Sequence, residues 1–335
     1  MAIALDAMGG DRGSSTLVEG AVEAAKEHEI EVILVGKKAL LEPELERQKG
    51  ASLSISIEDA TEVVDMAEAP SDALRKKKNS SIRVCFDLVK DGRANGVVSA
   101  GNSGATLATA MFVLGRIKGI RPAIATLFPT LKTPSLMIDV GANVDCKPHH
   151  LLQFGIMGSL FTKEFLKKPN PTVGLLSIGE EDSKGNQQVK KAYDLLNGSN
   201  LNFVGNVEGR DVFKGDVDVI VCDGFVGNIC LKLSEGLAET VILMLKSEIE
   251  GNLLATMGYG LAKKAFKRFR KRVDYAEYGG APLLGVKGTV MICHGRSGAK
   301  AVKNAIIAAH NLSKLNLAEK LEASLAEGRD LLRIV

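Results

Sequence analysis

Short, almost wholly apolar runs alternate along the chain with longer stretches in which apolar residues return at helical spacing. The runs expected as strands are Ile3–Leu5, Val32–Val35, Leu53–Ile57, Gly96–Ser99, Ala123–Leu127, Leu136–Val140, Val173–Ile178, Leu201–Val204 and Val217–Cys222. The expected helices are Ser15–His28, Ile82–Lys90, Ala105–Leu114, His149–Leu166, Gln187–Leu196, Asn228–Glu250 and Gly298–Leu312. Strands apolar on both sides are covered on both faces, and strand–helix alternation makes the sheet mostly parallel. No linker, repeat or low-complexity tract interrupts the pattern. It predicts one α/β unit over residues 1–335, in one lobe or two.

One stretch departs from this pattern. From Leu253 to Tyr275, Leu254, Met257, Leu261, Phe266 and Phe269 recur at helical spacing among Lys263, Lys264, Lys267, Arg268, Arg270, Lys271 and Arg272. This is a basic amphipathic helix, part of a helical excursion over about 240–275, with a joint expected at Gly258-Tyr259-Gly260. Three uses suit it: contact with an anionic membrane, packing in a dimer or core, or docking of an acidic carrier protein. Each cation near an anionic leaflet contributes about 1 kcal/mol, enough together for reversible attachment.

Composition narrows the classes. The chain has 335 residues, 45% of them hydrophobic and 25% charged, a balance that supports a substantial core. A net charge of +3, no tryptophan and four tyrosines argue against nucleic-acid binding. Five scattered cysteines without a C-x-x-C pair suit a reducing cytoplasm. The N-terminus lacks the features of a signal peptide, and no run is long and apolar enough to span a bilayer. A cytoplasmic protein, held peripherally at the inner face of the membrane, is expected.

The 35 glycines are abundant, and they gather where strands end. Five strands run into the corners Asp6-Ala7-Met8-Gly9-Gly10-Asp11, Ser99-Ala100-Gly101-Asn102-Ser103-Gly104, Asp139-Val140-Gly141-Ala142-Asn143, Ser177-Ile178-Gly179 through Lys184, and Cys222-Asp223-Gly224-Phe225-Val226-Gly227-Asn228. In a parallel sheet all five would share one rim, where glycine admits close approach and helix starts offer free N–H groups to an anion such as phosphate. The same residues also make ordinary turns and caps. Neither a Walker loop nor a G-x-G-x-x-G fingerprint is present, so the phosphate is expected as substrate rather than as part of a nucleotide cofactor. No cofactor and no metal are expected.

At these corners, together with Gly279-Gly280-Ala281-Pro282-Leu283-Leu284-Gly285 and His294-Gly295-Arg296-Ser297, the sequence resembles the PlsX family of phosphate acyltransferases along nearly its whole length. The resemblance implies a Rossmann-like α/β fold related to phosphotransacetylases and isocitrate-dehydrogenase-like enzymes, and a homodimer. It implies transfer of an acyl group from acyl carrier protein to inorganic phosphate. The acyl phosphate would pass to a membrane glycerol-3-phosphate acyltransferase for phospholipid synthesis.

Such chemistry needs a held phosphate, a stabilised oxyanion and a proton for the departing thiolate. The Gly101–Gly104 turn with Arg296 or Lys184 could hold phosphate; Asn228 or Ser103 could donate to the oxyanion; His294 or Lys184 could supply the proton. Asp139, Asp223 and Ser297, with the N-terminal Asp6, Gly9, Gly10 and Asp11, complete the candidate set. His294 equally suits a polar strand end, Lys184 a solvated helix start, and the aspartates caps. Two other readings stay open: a short-chain acyl-coenzyme A phosphotransacylase, and a non-catalytic membrane scaffold for a lipid enzyme.

Overall fold

The structure is a computed structural model that describes residues 1–327. In chain order its first half comprises β1 (Ile3–Asp6), α1 (Gly13–His28), β2 (Val32–Gly36), α2 (Lys38–Arg47), β3 (Ile55–Asp59), α3 (Pro70–Lys76), α4 (Ser81–Lys90), β4 (Gly96–Ser99), α5 (Ser103–Val113), β5 (Ala123–Phe128) and β6 (Ser135–Ile138). There follow α6 (Pro148–Glu164), β7 (Thr172–Leu176), α7 (Gln187–Asn197), β8 (Asn202–Val207), β9 (Val219–Val221), α8 (Gly224–Glu250) and α9 (Leu253–Val273). The chain closes with β10 (Ala281–Leu284), β11 (Thr289–Ile292), α10 (Ala299–Ser313) and α11 (Leu317–Glu327). All nine expected strands and seven expected helices are present, Gly96–Ser99 with the expected bounds and the others with shifted ends. Strands β10 and β11 and helices α2, α3 and α11 were not expected. The basic segment is one unbroken helix through Gly258-Tyr259-Gly260, so the expected joint is absent.

The sheet is mostly parallel, as the apolar strands require. Its order is β3-β2-β1-β4-β11-β10-β5-β6-β9-β7-β8. Ile3 and Leu5 point into a core with α1, α2, α6, α7 and α10, whereas Ala4 points to the other face, under α4 and α5. The alternation of β1 therefore feeds two cores. Each large side chain wholly buried in them contributes about 1.5–3 kcal/mol.

Direction is where expectation and structure part. β10 is antiparallel to both β11 and β5, and β5 is antiparallel to β6. Consequently β1–β5 and β11 run one way, while β6–β10 run the other. The five glycine corners do not share one rim. Those after β1 and β4, and the His294–Ser297 turn after β11, lie at one set of strand ends, here called upper. Those after β6, β7 and β9 lie at the opposite, lower ends. A four-residue strand separates the two levels by about 13 Å, and four strand spacings add about 19 Å sideways between β4 and β6.

Helix α8 starts at the lower ends, where Asp223 caps it by accepting from Val226 N at 2.8 Å. With 27 residues it is about 40 Å long and outruns every strand. Helix α9 returns alongside it. The Arg272 guanidinium donates to the carbonyls of Thr130 and Leu131, and Lys300 pairs with Asp274 at 2.8 Å.

Candidate functional site

The upper corners are bound tightly to one another. Asp6 is wholly buried; its carboxylate accepts from Ser99 Oγ at 2.7 Å, and Ser99 Oγ accepts from Gly101 N at 3.1 Å. Burial pushes the Asp6 carboxyl up from its ordinary range, against the hydrogen bonds of Ser81 and Ser99. A methyl on Gly9 would sit 2.6 Å from Gly101 N, so the two loops meet only because that position is glycine. Asp11 N donates to Gly295 O at 2.7 Å, which ties the His294–Ser297 turn to the same assembly. Asp6, Gly9, Gly10 and Asp11 thus hold the upper corners in register.

Few groups here remain free for a ligand. Asn102 caps α5 by accepting from Ala105 N at 2.9 Å, and its amide donates to the carbonyls of Asp65, Met66 and Glu68. It is a helix cap and a loop anchor. Gly101 N–H is already used. Ser103, at the start of α5, and Arg296 and His294, on the last turn, are exposed, and Ser297 is buried.

The lower corners interlock in their own way. Asp139 is wholly buried, and its carboxylate accepts from the amides of Ile124, Gly141, Ala142 and Asn143 and from Asn143 Nδ2, at 2.7–3.2 Å. Burial nevertheless raises its pKa. With every lone pair engaged, Asp139 orders the loop and cannot also hold substrate. Gly224 N donates to Asn143 O at 2.8 Å, which joins this loop to the start of α8. Asn228, one turn along, faces Gly141: a methyl there would lie 3.8 Å from its Oδ1. Asp223 is occupied as the α8 cap. Lys184 is exposed on the loop after β7, also at the lower ends.

The candidates therefore form two groups. Asn228, Asp139, Asp223 and Lys184 share the lower ends; Gly101–Gly104, His294, Arg296 and Ser297 share the upper ends. Asn228 and Arg296 do not meet within the chain.

Between the groups, α5 carries Leu107 and Met111 down to a pocket at the lower ends, lined also by Arg116, Arg121, Ala142 and Asn143. The sequence reading missed both arginines. Neither lies within ion-pairing distance of a carboxylate among the described residues. A lining that joins apolar side chains to two arginines without carboxylate partners suits a molecule with an apolar body and an anionic end. The nearby thiols are poor nucleophiles, since burial raises Cys222 far above its usual value and Cys146 to about 12.

Comparisons with known proteins give the family and the fold. A family model described as fatty acid synthesis protein matches residues 1–320. A phosphate acyltransferase of Trichlorobacter lovleyi is 56% identical over 328 residues, covering 98% of this chain and 95% of the relative. One of Geobacter sulfurreducens is 57% identical over 327 residues, covering 96% and 94%. Among solved structures, a phosphotransacetylase from Streptococcus pyogenes superposes with a TM-score of 0.64 at 20% identity, covering 93% of this chain and 94% of the other. A branched-chain phosphotransacylase from Enterococcus faecalis gives 0.60 at 14% identity, covering 93% and 99%. These structures share the fold.

Proposed function

Since the chain belongs to the fatty acid synthesis protein family and is, like its relatives, a phosphate acyltransferase of the PlsX type, we propose that it moves a fatty acyl group from acyl carrier protein to inorganic phosphate. A phosphate oxygen attacks the thioester carbonyl carbon, the carbon–sulfur bond breaks, and an acyl–phosphate bond forms. The proton that phosphate loses balances the one the departing thiolate gains, so no redox partner is needed. The observation that carries this reading is the pocket that Leu107 and Met111 line together with Arg116 and Arg121. It offers the acyl chain apolar side chains and the phosphoryl group cationic ones.

Positioning can supply much of the rate, because phosphate is already a nucleophile. Asn228 is the candidate donor to the tetrahedral oxyanion, facing the Gly141 turn from the first turn of α8. Lys184 shares its strand ends and is the candidate proton source. His294, at the upper ends, does not suit that role. The upper corner, with Ser103, Gly104 and Arg296, is the candidate entry for the anionic stem of the carrier's prosthetic arm. From there α5 spans about 16 Å towards the pocket.

Two surfaces suit the product's destination. On α9, Leu254, Met257 and Leu261 are 78%, 63% and 93% exposed beside the basic residues, which fits attachment to an anionic cytoplasmic leaflet. Phe269 is partly exposed, whereas Phe266 packs against Tyr259 with tilted rings whose centroids lie 4.9 Å apart. On α8, Val226, Leu233, Leu237, Val241 and Met244 form one exposed stripe, the surface we assign to a homodimer. Release there would pass acyl phosphate to a membrane glycerol-3-phosphate acyltransferase.

The test is to supply phosphate with either acyl-carrier or acyl-coenzyme A thioester and follow phosphate-dependent thiol release and acyl phosphate. Turnover with the carrier thioester, and little with coenzyme A, is expected. Preference for a short acyl-coenzyme A would favour the phosphotransacylase alternative, and no turnover with either would leave the scaffold reading.

A further inference from the structure

We propose that Arg121 grips the phosphoryl group of the substrate, held in place by Asn143, which Asp139 fixes in turn. This rests on the acyl transfer proposed above and names the group that binds its nucleophile.

The geometry is built from the buried end outward. Asp139 accepts from Asn143 N at 2.7 Å and from Asn143 Nδ2 at 2.9 Å. The same amide nitrogen donates to Pro122 O at 2.8 Å. With acceptors on the nitrogen side, the orientation of the Asn143 amide is settled and its Oδ1 must receive a donor. Arg121 Nε supplies it. The Arg121 backbone is anchored as well, its N–H donating to Gln153 Oε1 at 2.9 Å, while Gln153 Nε2 donates to Gly119 O at 2.9 Å.

One edge of the guanidinium is therefore spent on protein and the rest is not. Among the described residues Nη1 and Nη2 have no hydrogen-bond partner, and the side chain lines the pocket beside Leu107 and Met111. A planar fork tethered through Nε presents its two terminal nitrogens for paired bonds to an oxyanion. Arg116 lines the same pocket without any such tether among the described residues, so it adds charge but not orientation. Fixing the fork beforehand is what positions a phosphate oxygen for attack rather than merely attracting the ion. The apolar side of the pocket receives the first carbons of the acyl chain.

The experiment uses the full chain and the variants Arg121→Ala and Arg121→Lys, with initial rates measured at varied phosphate and varied acyl carrier thioester. In Arg121→Ala the phosphate KM should rise at least about tenfold, the loss of a charge-assisted pair, while the carrier KM stays within about twofold. Arg121→Lys, which keeps the charge but loses the fork, should fall between, and guanidinium ion should partly restore Arg121→Ala. A binding readout runs alongside: phosphate should raise the melting temperature of the natural protein and not that of Arg121→Ala. An unchanged phosphate KM in both variants, or an equal phosphate-induced melting shift in all three proteins, overturns the assignment. Absence of turnover in the natural protein would count against the acyl-carrier reaction, whereas the melting shifts would still decide whether Arg121 holds phosphate.

Discussion

A methyl group on Gly227 would lie 1.9 Å from the carbonyl oxygen of Asp139. The first turn of α8 therefore rests directly on the backbone of the loop after β6. No flexible side chain stands between them to yield. Gly227→Ala should cost about 3 kcal/mol or more, because one of the two backbones must move. Urea unfolding of this variant beside Gly258→Ala, whose added methyl meets nothing within 4 Å, checks it; equal midpoints would contradict the close approach.

Asn228 and Lys184 are expected to matter to turnover rather than to folding. Asn228→Ala should lower kcat by roughly 100-fold or more if its amide meets the oxyanion, with an unchanged melting temperature. Lys184→Ala should lower kcat by roughly 100-fold, whereas His294→Ala should leave the carrier reaction near its natural rate. Initial rates, measured beside thermal unfolding of each variant, separate the three.

His150 gives the fold a predictable sensitivity to acid. Burial first, then His149, Arg121 and Lys147, depress its pKa from 6.5 to about 4. Its Nδ1 also accepts from Lys147 N at 3.1 Å, which only an unprotonated nitrogen can do. The native state thus favours the neutral ring, while the unfolded chain takes up a proton near its ordinary value. The stability involved is complete above about pH 6.5, declines as acid is added, and is exhausted below about pH 4. Melting temperatures of His150→Gln should fall less between pH 7 and 4.5 than those of the natural protein.

The two exposed apolar surfaces should separate by assay. Leu254→Glu, on α9, should abolish binding to anionic vesicles and leave the oligomeric state alone. Leu237→Glu, on α8, should shift the protein towards monomer in sedimentation velocity. If Leu254→Glu still binds vesicles, α9 is not the contact; if Leu237→Glu remains dimeric, the stripe on α8 is not the interface.

Much of the architecture was legible because it depends on local pattern. Ile3–Leu5 and Val32–Val35 could only be covered strands, and the helical spacing from Leu254 to Phe269 survives as α9. Direction was not legible, since a parallel and an antiparallel strand carry the same apolar signature. Strand β10, four residues bounded by glycines and hidden in a motif that reads as loop, is antiparallel to both neighbours and leaves β11 and β5 pointing the same way. The rim is split by the antiparallel pairing of β5 with β6, two runs that read equally well as parallel strands, and the assumption of a single rim joined Arg296 and Asn228 in one site that the chain keeps apart.

At the candidate site, residue chemistry misled in a specific way. Asp139 and Asn102 have the right types for a ligand site, but their hydrogen-bonding capacity is consumed by the backbone around them. Arg121 gave little sign, because an arginine before a proline at the foot of a strand is ordinary. Its placement depends on Asn143, 22 residues further on, and on Gln153, 32 residues further on. Only folding brings them together.

The placement of β10 and β11 between β4 and β5 has a consequence for how the protein is made. Until Ile292 has left the ribosome, the nascent chain carries two half-sheets, each with an unpaired border of main-chain donors and acceptors. Nothing produced earlier can seal that gap. A product truncated before Ala281 would retain most of its strands and yet be an aggregation hazard, and the cell's chaperones face this interval each time the chain is synthesised.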